Sequence, residues 1–458
     1  MEVICKFRME GEEEGEALQS PPAKTDGGKT KEVEALEEEE VEFFKQLLRF
    51  RTVSAEGPRG EYARCAAWIK ERCEDMGLQA RIVEAVKGKP VVVATLLGTQ
   101  PELPAVLLNS HYDVVPAMEE FWKTEPFAAV ETDDGRIYGR GTQDMKCVCA
   151  GYLLALRRIL NSRSAMRRTL HLTFVPDEEI GGKDGMGAFI ESGSFDELRP
   201  VGVALDEGIA NPSEENIIFY GERAPLWIIV TARGPTGHGS RFIPGTAVQK
   251  LINVAGKAIA FREAREKELG YPEQAGCKHC EAKKLGDVVT LNLTMLDAGV
   301  SADGGKTYSL NVIPTQAKAG FDIRVPPSVP IVEITAMLDE WCAEEGMSWE
   351  FAEWAGKGIE KHAVSSIEDG EDRWWGALKR ASAKADIQLR PEIFPAGTDS
   401  RFLREIGIPA YGFSPLAKSR ILLHEHNEYI DRSVFLRGIR TYEVIIQSLC
   451  EEASPSMS

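Results

Sequence analysis

Three consecutive acids, Asp177, Glu178 and Glu179, stand between a strand-like run at 170–175 and a pair of glycines. Neighbouring carboxylates with no basic residue among them repel, so keeping all three ionised is costly unless a cation compensates. A divalent metal is such a cation, and it could bind one glutamate while the other stays free for proton transfer. The alternative interpretation is an exposed acidic turn after a strand, but the rest of the chain favours the metal.

Two other apolar strands end in residues of the same kinds. One leads into His111 and Asp113, and the other leads into Asp206 and Glu207. Polar residues at the end of a continuous apolar strand are typical of the carboxyl edge of a mostly parallel sheet, where α/β proteins bind their ligands. Because residues i and i+2 share a face of an extended chain, Asp113 could accept a hydrogen bond from the second ring nitrogen of a metal-bound His111.

The remaining candidates are ambiguous from spacing alone. Asp144 is either a ligand or the N-cap of the helix that follows it. Either His424 or His426 could be a ligand, and His238 is by default an exposed turn histidine. Together the candidates form a two-metal hydrolase site with one histidine per metal, a shared aspartate and two glutamates, which suits zinc or cobalt-like ions. The sequence contains neither a G-x-S-x-G elbow nor a G-x-x-x-x-G-K-[ST] phosphate loop.

The formal net charge of −18 disfavours nucleic acid or an anionic membrane as a partner. In residues 1–40, thirteen Asp or Glu face five Lys or Arg among few large apolar side chains, so we expect a disordered acidic tail. The nine cysteines are scattered, no secretory segment opens the chain, and no run approaches the roughly 18 apolar residues of a membrane span. We therefore expect a cytoplasmic protein. A lone C-x-x-C at 277–280, which contains His279, is interpreted as a loop.

The hydrophobic periodicity predicts an α/β domain built from two segments, 41–225 and 356–458, around an insertion at 226–355. Within the insertion the pattern predicts a βαββαβ unit, with strands at 227–232, 287–296, 317–325 and 348–354 and helices at 246–269 and 331–344.

Six short motifs follow one another between about residues 42 and 450, namely NSHYDVVP (109–116), RGTQDMK (140–146), PDEEIGG (176–182), LDEGIANP (205–212), GHGSRF (237–242) and LLHEHNE (422–428). They resemble a dizinc amidohydrolase family that includes aminoacylases, acetylornithine deacetylases and succinyl-diaminopimelate desuccinylases. The resemblance implies a zinc-peptidase-like, mixed-sheet catalytic domain interrupted by a ferredoxin-like lid that also mediates dimerisation. Tyr112 departs from the family, which usually has a smaller residue there, and we expect it to alter the shape of the pocket.

The resemblance also implies a role for each candidate metal ligand. His111 and Glu207 would bind one zinc ion, and Asp144 would bridge it to a second zinc ion held by Glu179 and His424. The cofactor would therefore be two zinc ions per subunit.

The same resemblance implies the catalytic and binding roles. Glu178 would be the general base, Asp113 would orient the histidine two residues before it, and His238 would stabilise the oxyanion in the partner subunit of a homodimer. The residues implied to bind substrate are Asn311, Arg324 and Thr398.

The implied reaction is the zinc-dependent hydrolysis of N-acyl-L-amino acids, small-molecule substrates, to a carboxylate and a free L-amino acid. The alternative is a dipeptidase or carboxypeptidase with the same site. A third hypothesis is a non-catalytic interaction protein that kept the fold. It is disfavoured because all five implied ligands and the implied base are present.

Overall fold

The computed structural model describes residues 31–269, 284–353, 361–370 and 372–452. Most of the predicted acidic tail and the C-x-x-C segment with His279 lie outside these ranges. Residues 31–40, which were predicted to belong to the tail, are helical instead. Six of these ten residues are Glu, which favours helix even where little apolar surface is buried. The chain divides into a unit at 1–39 and a unit at 40–458 that holds all other elements.

The helices of the described residues are α1 (Lys31–Leu48), α2 (Tyr62–Asp75), α3 (Lys146–Asn161), α4 (Ala188–Glu191), α5 (Ala247–Glu266), α6 (Ile331–Trp341), α7 (Arg373–Lys384), α8 (Ser400–Glu405) and α9 (Arg432–Glu451). The two helices of the insertion, α5 and α6, lie close to the predicted segments at 246–269 and 331–344. No helix in the described ranges is long and apolar enough to cross a membrane.

The strands of the described residues form four sheets. They are β1 (Gln79–Val86), β2 (Lys89–Leu96), β3 (Ala105–His111), β4 (Val130–Glu131), β5 (Arg136–Tyr138), β6 (Leu170–Val175), β7 (Val201–Asp206), β8 (Asn216–Glu222), β9 (Ala224–Arg233), β10 (Gly237–His238), β11 (Thr290–Ala298), β12 (Val312–Ile313), β13 (Gln316–Val325), β14 (Met347–Phe351), β15 (Leu389–Phe394), β16 (Ala410–Phe413) and β17 (Tyr429–Asp431).

The largest sheet is mixed and has the strand order β1-β2-β6-β3-β7-β16-β8-β15. At its centre β3 is parallel to both β6 and β7. Parallel neighbours end at the same edge of a sheet, so the residues after these three strands lie side by side. His111 is paired with Val175, the last residue before the proline that precedes the acidic triplet.

Both faces of this sheet are covered. In β3, Val106 and Leu108 pack with residues of α2, α3, α7 and α9, whereas Leu107 packs on the other side with Phe189 of α4 and Leu403 of α8. Successive residues of a strand point to opposite faces, so burial on both faces requires the unbroken apolar run that the sequence has here.

A second sheet is antiparallel, with the order β11-β13-β9-β14. Its core includes Leu251 and Val254 of α5 and Ile334 and Leu338 of α6. The chain order of its elements, β9-α5-β11-β13-α6-β14, follows the predicted strand–helix–strand–strand–helix–strand pattern.

One strand of the large sheet was not predicted. β8 pairs parallel with β15 and antiparallel with β16. It therefore joins the segment before the insertion to the segment after it. Its pattern of apolar residues is interrupted by Gly221 and Glu222, which are both buried, so the run is too irregular to identify by alternation alone.

Candidate metal centre

His111 lies at the carboxyl end of β3 and is buried. Its Nδ1 is 3.0 Å from the carbonyl oxygen of Asp113 and 3.4 Å from the Oδ1 atom of that residue. Its Nε2 faces three carboxylates, at 3.2 Å from Asp144, 3.7 Å from Glu207 and 3.8 Å from Glu178. A proton held on Nδ1 by the Asp113 carbonyl leaves the Nε2 lone pair directed at these carboxylates, which is the arrangement that a metal-binding imidazole needs.

The acidic turn is held by Asp113. Its two carboxylate oxygens accept hydrogen bonds from the backbone amides of Glu178 and Glu179, at 3.2 and 3.3 Å. The sequence predicted that this carboxylate would orient His111, but the closer contact to the imidazole comes from the carbonyl of Asp113. Asp113 thus fixes the histidine and both glutamates relative to one another.

The first acid of the triplet does not face the cluster. Asp177 has a left-handed backbone with φ of 66°, and its carboxylate accepts a hydrogen bond from Tyr62 at 2.8 Å and pairs with Lys89. Tyr112 also points away: it is buried in the core, and its hydroxyl donates to the carbonyl of Pro90 at 2.6 Å. The expected effect of Tyr112 on the pocket is therefore wrong, because strand alternation turns it to the opposite face from the residues on either side.

Asp144 lies between the two candidate histidines. Its Oδ1 is 3.2 Å from His111 Nε2, and its Oδ2 is 3.2 Å from His424 Nε2. The same Nε2 of His424 is 3.0 Å from Glu179. Asp144 does not cap α3, whose N-cap is Met145 and has no side-chain hydrogen bond.

The structure also distinguishes between the candidates in two further pairs, His424 and His426, and Asp206 and Glu207. His426 lies against the ring of Phe121, with ring centroids 5.1 Å apart, so His424 alone of the pair approaches the acids. The carboxylate of Asp206 accepts hydrogen bonds from Asn109 at 3.1 Å and Ser400 at 2.8 Å. Since these bonds occupy both of its oxygens, the neighbouring glutamate at 207 is the one that faces His111.

The cluster concentrates negative charge in a buried space. Within the described ranges no Lys or Arg pairs with Asp144, Glu178, Glu179 or Glu207. Burial raises the pKa of Glu178 and Glu207 well above the usual range and raises the pKa of Glu179 to about 7. Burial acts in the same direction on Asp144, but hydrogen bonds from both histidines lower its pKa.

This set of donors fits a metal. The ligand atoms of His111, Asp144 and Glu179 lie within 4.8 Å of one another, and so do those of His111, Glu178 and Glu207. One oxygen of Glu179, Oε1, is buried without a hydrogen-bond partner. Imidazole nitrogens and carboxylate oxygens are the ligands of catalytic zinc sites, and a divalent cation would offset the repulsion among the acids.

Glu428 is a functional residue that the sequence analysis did not single out. It is fully buried, and its carboxylate accepts hydrogen bonds from Arg140 Nη1 at 2.8 Å and from the backbone amide of Gln143 at 2.7 Å, with a longer contact to the amide of Asp144 at 3.4 Å. The guanidinium of Arg140 also donates to the carbonyl of His424 at 3.4 Å. One buried ion pair thus positions a ligand candidate on each of two segments that are far apart in sequence.

Gln143 holds the same two segments together. Its Nε2 donates to the carbonyls of Arg420 and Tyr429, at 3.0 and 2.8 Å, and its Oε1 accepts from the amide of Leu422 at 2.9 Å. The only sequence signal for Gln143 and Glu428 was their presence in the motifs at 140–146 and 422–428.

His238, implied to stabilise the oxyanion, and Asn311, implied to bind substrate, are neighbours in the insertion. His238 and Val312 are paired between β10 and β12, and the amide of Gly239 donates to the carbonyl of Asn311 at 2.7 Å. The Nδ1 of His238 accepts from the amide of Ser240 at 3.2 Å, so the ring proton of the neutral histidine lies on Nε2.

The two remaining residues implied to bind substrate, Arg324 and Thr398, are already engaged in hydrogen bonds. Arg324 binds Asp322 through two contacts of 2.7 and 3.0 Å and lies 4.9 Å from the centre of the Trp227 ring. The hydroxyl of Thr398 donates to Glu222 at 2.8 Å. In the part of the chain that the structure describes, neither His238 nor any of the three residues implied to bind substrate has a hydrogen bond or an ion pair to the metal-ligand candidates.

The chain belongs to peptidase family M20/M25/M40, whose sequence pattern matches residues 107–448. It is 46% identical over 414 residues to aminoacylase-1 of Dictyostelium discoideum, which covers 90% of this chain and 98% of that protein. It is 42% identical over 422 residues to aminoacylase-1 of Homo sapiens, with coverage of 91% and 97%. Its fold is similar to that of a Bacillus subtilis protein described as a dinuclear metal-binding peptidase of the M20 family, with a TM-score of 0.62, 17% identity and coverage of 92% and 100%.

Replacement of Glu428 by Gln tests its role in holding the two segments. We expect the free energy of unfolding to fall by about 3–5 kcal/mol, because the buried guanidinium of Arg140 loses its counter-charge. Urea denaturation followed by circular dichroism measures the change. The matched control is Glu425→Gln, at an exposed position three residues earlier, where we expect a change within about 0.5 kcal/mol. Equal unfolding midpoints for the two variants would contradict the role.

Proposed function

We propose that the protein is an aminoacylase, a metal-dependent amidohydrolase that converts N-acyl-L-amino acids to a carboxylate and a free L-amino acid. The observation that carries the proposal is the position of Asp144, with one oxygen 3.2 Å from each of His111 and His424. The high identity to two proteins named aminoacylase-1, over about nine-tenths of the chain, supports the substrate class.

The proposed cofactor is a pair of zinc ions in each subunit. His111, Asp144 and Glu207 would hold one ion, and Asp144, Glu179 and His424 would hold the other. When bound, such ions lower the pKa of a water molecule and polarise the acyl carbonyl of the substrate. The description of a similar fold as dinuclear and metal-binding agrees with this arrangement.

Glu178 is the proposed general base. Its carboxylate would take a proton from the attacking water and later donate that proton to the nitrogen of the departing amino acid. Two contacts support this role: its backbone amide is fixed by Asp113, and its carboxylate lies 3.8 Å from Nε2 of His111, beside the proposed zinc ligands. Asp113 is the proposed positioning residue for this base and for His111.

The substrate is proposed to bind through residues of both sheets. The guanidinium of Arg324 keeps donors beyond the two that bind Asp322, and these can pair with the α-carboxylate of the substrate. Asn311 would add a hydrogen bond beside it. Thr398 can contribute only as an acceptor, because its hydroxyl proton is donated to Glu222.

His238 is proposed to stabilise the oxyanion of the tetrahedral intermediate. Its Nε2 carries the proton in the neutral ring, so it can donate to a negatively charged oxygen. The side chain is exposed and has no contact with the metal-ligand candidates of its own chain among the described residues, which supports action in a partner subunit.

The insertion at 226–355 lies in sequence between the two catalytic segments, 41–225 and 356–458. It is proposed to be a ferredoxin-like lid through which two copies of the chain form a homodimer. β11 is an edge strand, and Leu296 on it is 64% exposed. On α5, Ile252 and Ile259 are 63% and 50% exposed and lie seven residues apart, on one face of the helix. An unpaired edge strand beside an exposed apolar helix face is suited to pairing with a second copy.

The proposed location is the cytoplasm. All six cysteines in the described ranges are buried and free, which suits a reducing compartment. The proposed partners are a small-molecule substrate and a second copy of the chain, and neither nucleic acid nor a membrane is proposed.

A dipeptidase or carboxypeptidase activity is the second candidate, because the family is a peptidase family and includes proteins with the same fold. A substrate panel distinguishes the two. We expect kcat/KM for N-acetyl-L-methionine to exceed that for an unblocked methionine-containing dipeptide by at least about tenfold, with the N-acetyl-D-methionine enantiomer as control. Metal analysis of the same sample should give two zinc ions per chain. A preference for the dipeptide would support a peptidase instead.

Substitution of Glu178 by Gln tests the general base. We expect kcat to fall by about 10²-fold or more, because the proton acceptor is lost, while the zinc content is retained. The comparison variant is Glu179→Gln, which should lose both zinc and activity. If Glu178→Gln lost metal, Glu178 would be a ligand and not the base. Near-normal turnover would also contradict the role.

Mixed dimers test the position of His238. His238→Asn and Glu178→Gln should each be nearly inactive yet elute as dimers in gel filtration. In an equal mixture from co-expression, half of the dimers are hybrids with one site that has both intact groups, so about a quarter of wild-type activity should return. No recovery would mean that His238 acts within its own subunit, and monomeric wild-type protein would contradict the dimer.

A further inference from the structure

Arg223 is a buried arginine at the junction of the two sheets, between β8 and β9. Its Nε and Nη2 donate to the carbonyl of Pro395, at 2.8 and 2.5 Å. Its Nη1 donates to the carbonyl of Val288 at 3.2 Å and to the hydroxyl of Thr290 at 3.0 Å. Among the described residues no carboxylate forms an ion pair with it. The guanidinium is therefore held by neutral acceptors alone.

These acceptors belong to different parts of the fold. Pro395 directly follows β15, an edge strand of the large sheet, and leads to Thr398 three residues later. Thr290 begins β11 of the four-stranded sheet and is paired with Arg324 on β13. The side chain of Arg223 thus connects the loop that carries Thr398 to the strand next to the one that carries Arg324.

The preceding residue binds the same loop. The carboxylate of Glu222 accepts from both the amide and the hydroxyl of Thr398, at 3.2 and 2.8 Å, and from Arg404 at 3.3 Å. Successive residues at the end of a strand point to opposite sides, so Glu222 and Arg223 hold the 395–398 loop at two different points.

The segment that leads into β11 packs on the same strand. Lys284 pairs with Glu392, and a methyl group on Gly286 would lie 2.1 Å from the carbonyl oxygen of Ile393. Together with Arg223 and Pro395, these contacts extend over residues 392–395 of one chain segment. The orientation of the four-stranded sheet therefore depends on this segment.

A buried arginine at this position pays a desolvation free energy that an apolar side chain filling the same space would not. Burial, together with the nearby charge of Arg324, lowers the pKa of Arg223 to about 10. A neutral or apolar side chain would avoid the desolvation of a cation. The guanidinium is distinctive in having several donors in a fixed plane, so that it can bind carbonyls on both sides at once.

We infer that Arg223 is a positioning residue that sets the separation between Arg324 on the four-stranded sheet and Thr398 on the loop after β15. This inference rests on the proposed roles of Arg324 and Thr398 in binding the substrate. Arg223 itself contacts neither of their side chains through a hydrogen bond. It acts through the backbone of Pro395 and the start of β11.

Steady-state kinetics of Arg223→Gln, with N-acetyl-L-methionine and N-acetyl-L-methioninamide as substrates, tests the inference. We expect KM for the acid to rise by about tenfold or more while kcat changes by less than about threefold, because the catalytic cluster is untouched. The preference for the acid over the amide should fall by a similar factor. Arg223→Lys should recover only part of the effect, because one ammonium cannot reproduce the planar set of donors.

The matched control is Arg233→Gln, at the exposed far end of β9, which should behave as wild type. An equal fall in kcat for both substrates with unchanged KM would overturn the inference, since it would indicate a general loss of folded enzyme. So would a KM and an acid preference like those of wild type.

Hydrogen–deuterium exchange provides a readout that does not depend on the reaction. In Arg223→Gln the carbonyl of Pro395 loses its hydrogen bonds, so the loop that carries the Thr398 amide is held less firmly. Exchange at 395–400 should therefore accelerate by about tenfold or more relative to wild type, while exchange in α3 stays unchanged. Unchanged exchange at 395–400 would overturn the inference even if wild-type protein proved active. If wild-type protein did not hydrolyse N-acyl amino acids, the proposed function would fail, and the exchange result would still show whether Arg223 fixes the loop.

Discussion

The repulsion among four carboxylates that share one buried space is the constraint on which this structure depends. Asp144, Glu178, Glu179 and Glu207 surround two imidazoles, with no lysine or arginine in ion pairs with them in the described ranges. A folded chain does not keep such groups together unless other contacts fix them or a cation offsets their charge. The three parallel strand ends, the turn bound by Asp113 and the segment bound by Arg140 are the contacts that fix them.

The acids next to the cluster are each bound by other side chains, and this determines which carboxylates remain open. Asp177 pairs with Lys89, Asp206 is bound by Asn109 and Ser400, and Glu428 pairs with Arg140. Each is a close sequence neighbour of a ligand candidate, namely the acids at 179 and 207 and the histidine at 424. In acidic motifs of this kind, the residue that lacks a protein partner is therefore the better candidate for a ligand.

Sequence alone was sufficient for the parts that depend on local pattern. The apolar runs ending at His111, Asp177 and Asp206 identified three strands and the edge at which they meet. It was not sufficient where the partner is distant: Glu428 binds backbone amides some 285 positions away, and nothing in its local pattern indicates burial. The choice of His424 over His426 came from family resemblance, and the geometry now supports it through Asp144 and Glu179.

The proposed substrate recognition and the proposed chemistry are placed on separately packed elements. The metal-ligand candidates lie on the large sheet and its loops, and their positions are fixed by buried hydrogen bonds. Arg324 lies on β13, in a sheet with its own core, and is oriented by Asp322. In the proposed binding mode a substrate would contact both, so its affinity would depend on how the two sheets are joined as well as on the residues that it touches. The residues around β8, β15 and the start of β11 therefore belong to the proposed functional unit, although in the described ranges none of them has a hydrogen bond or an ion pair to the metal-ligand candidates.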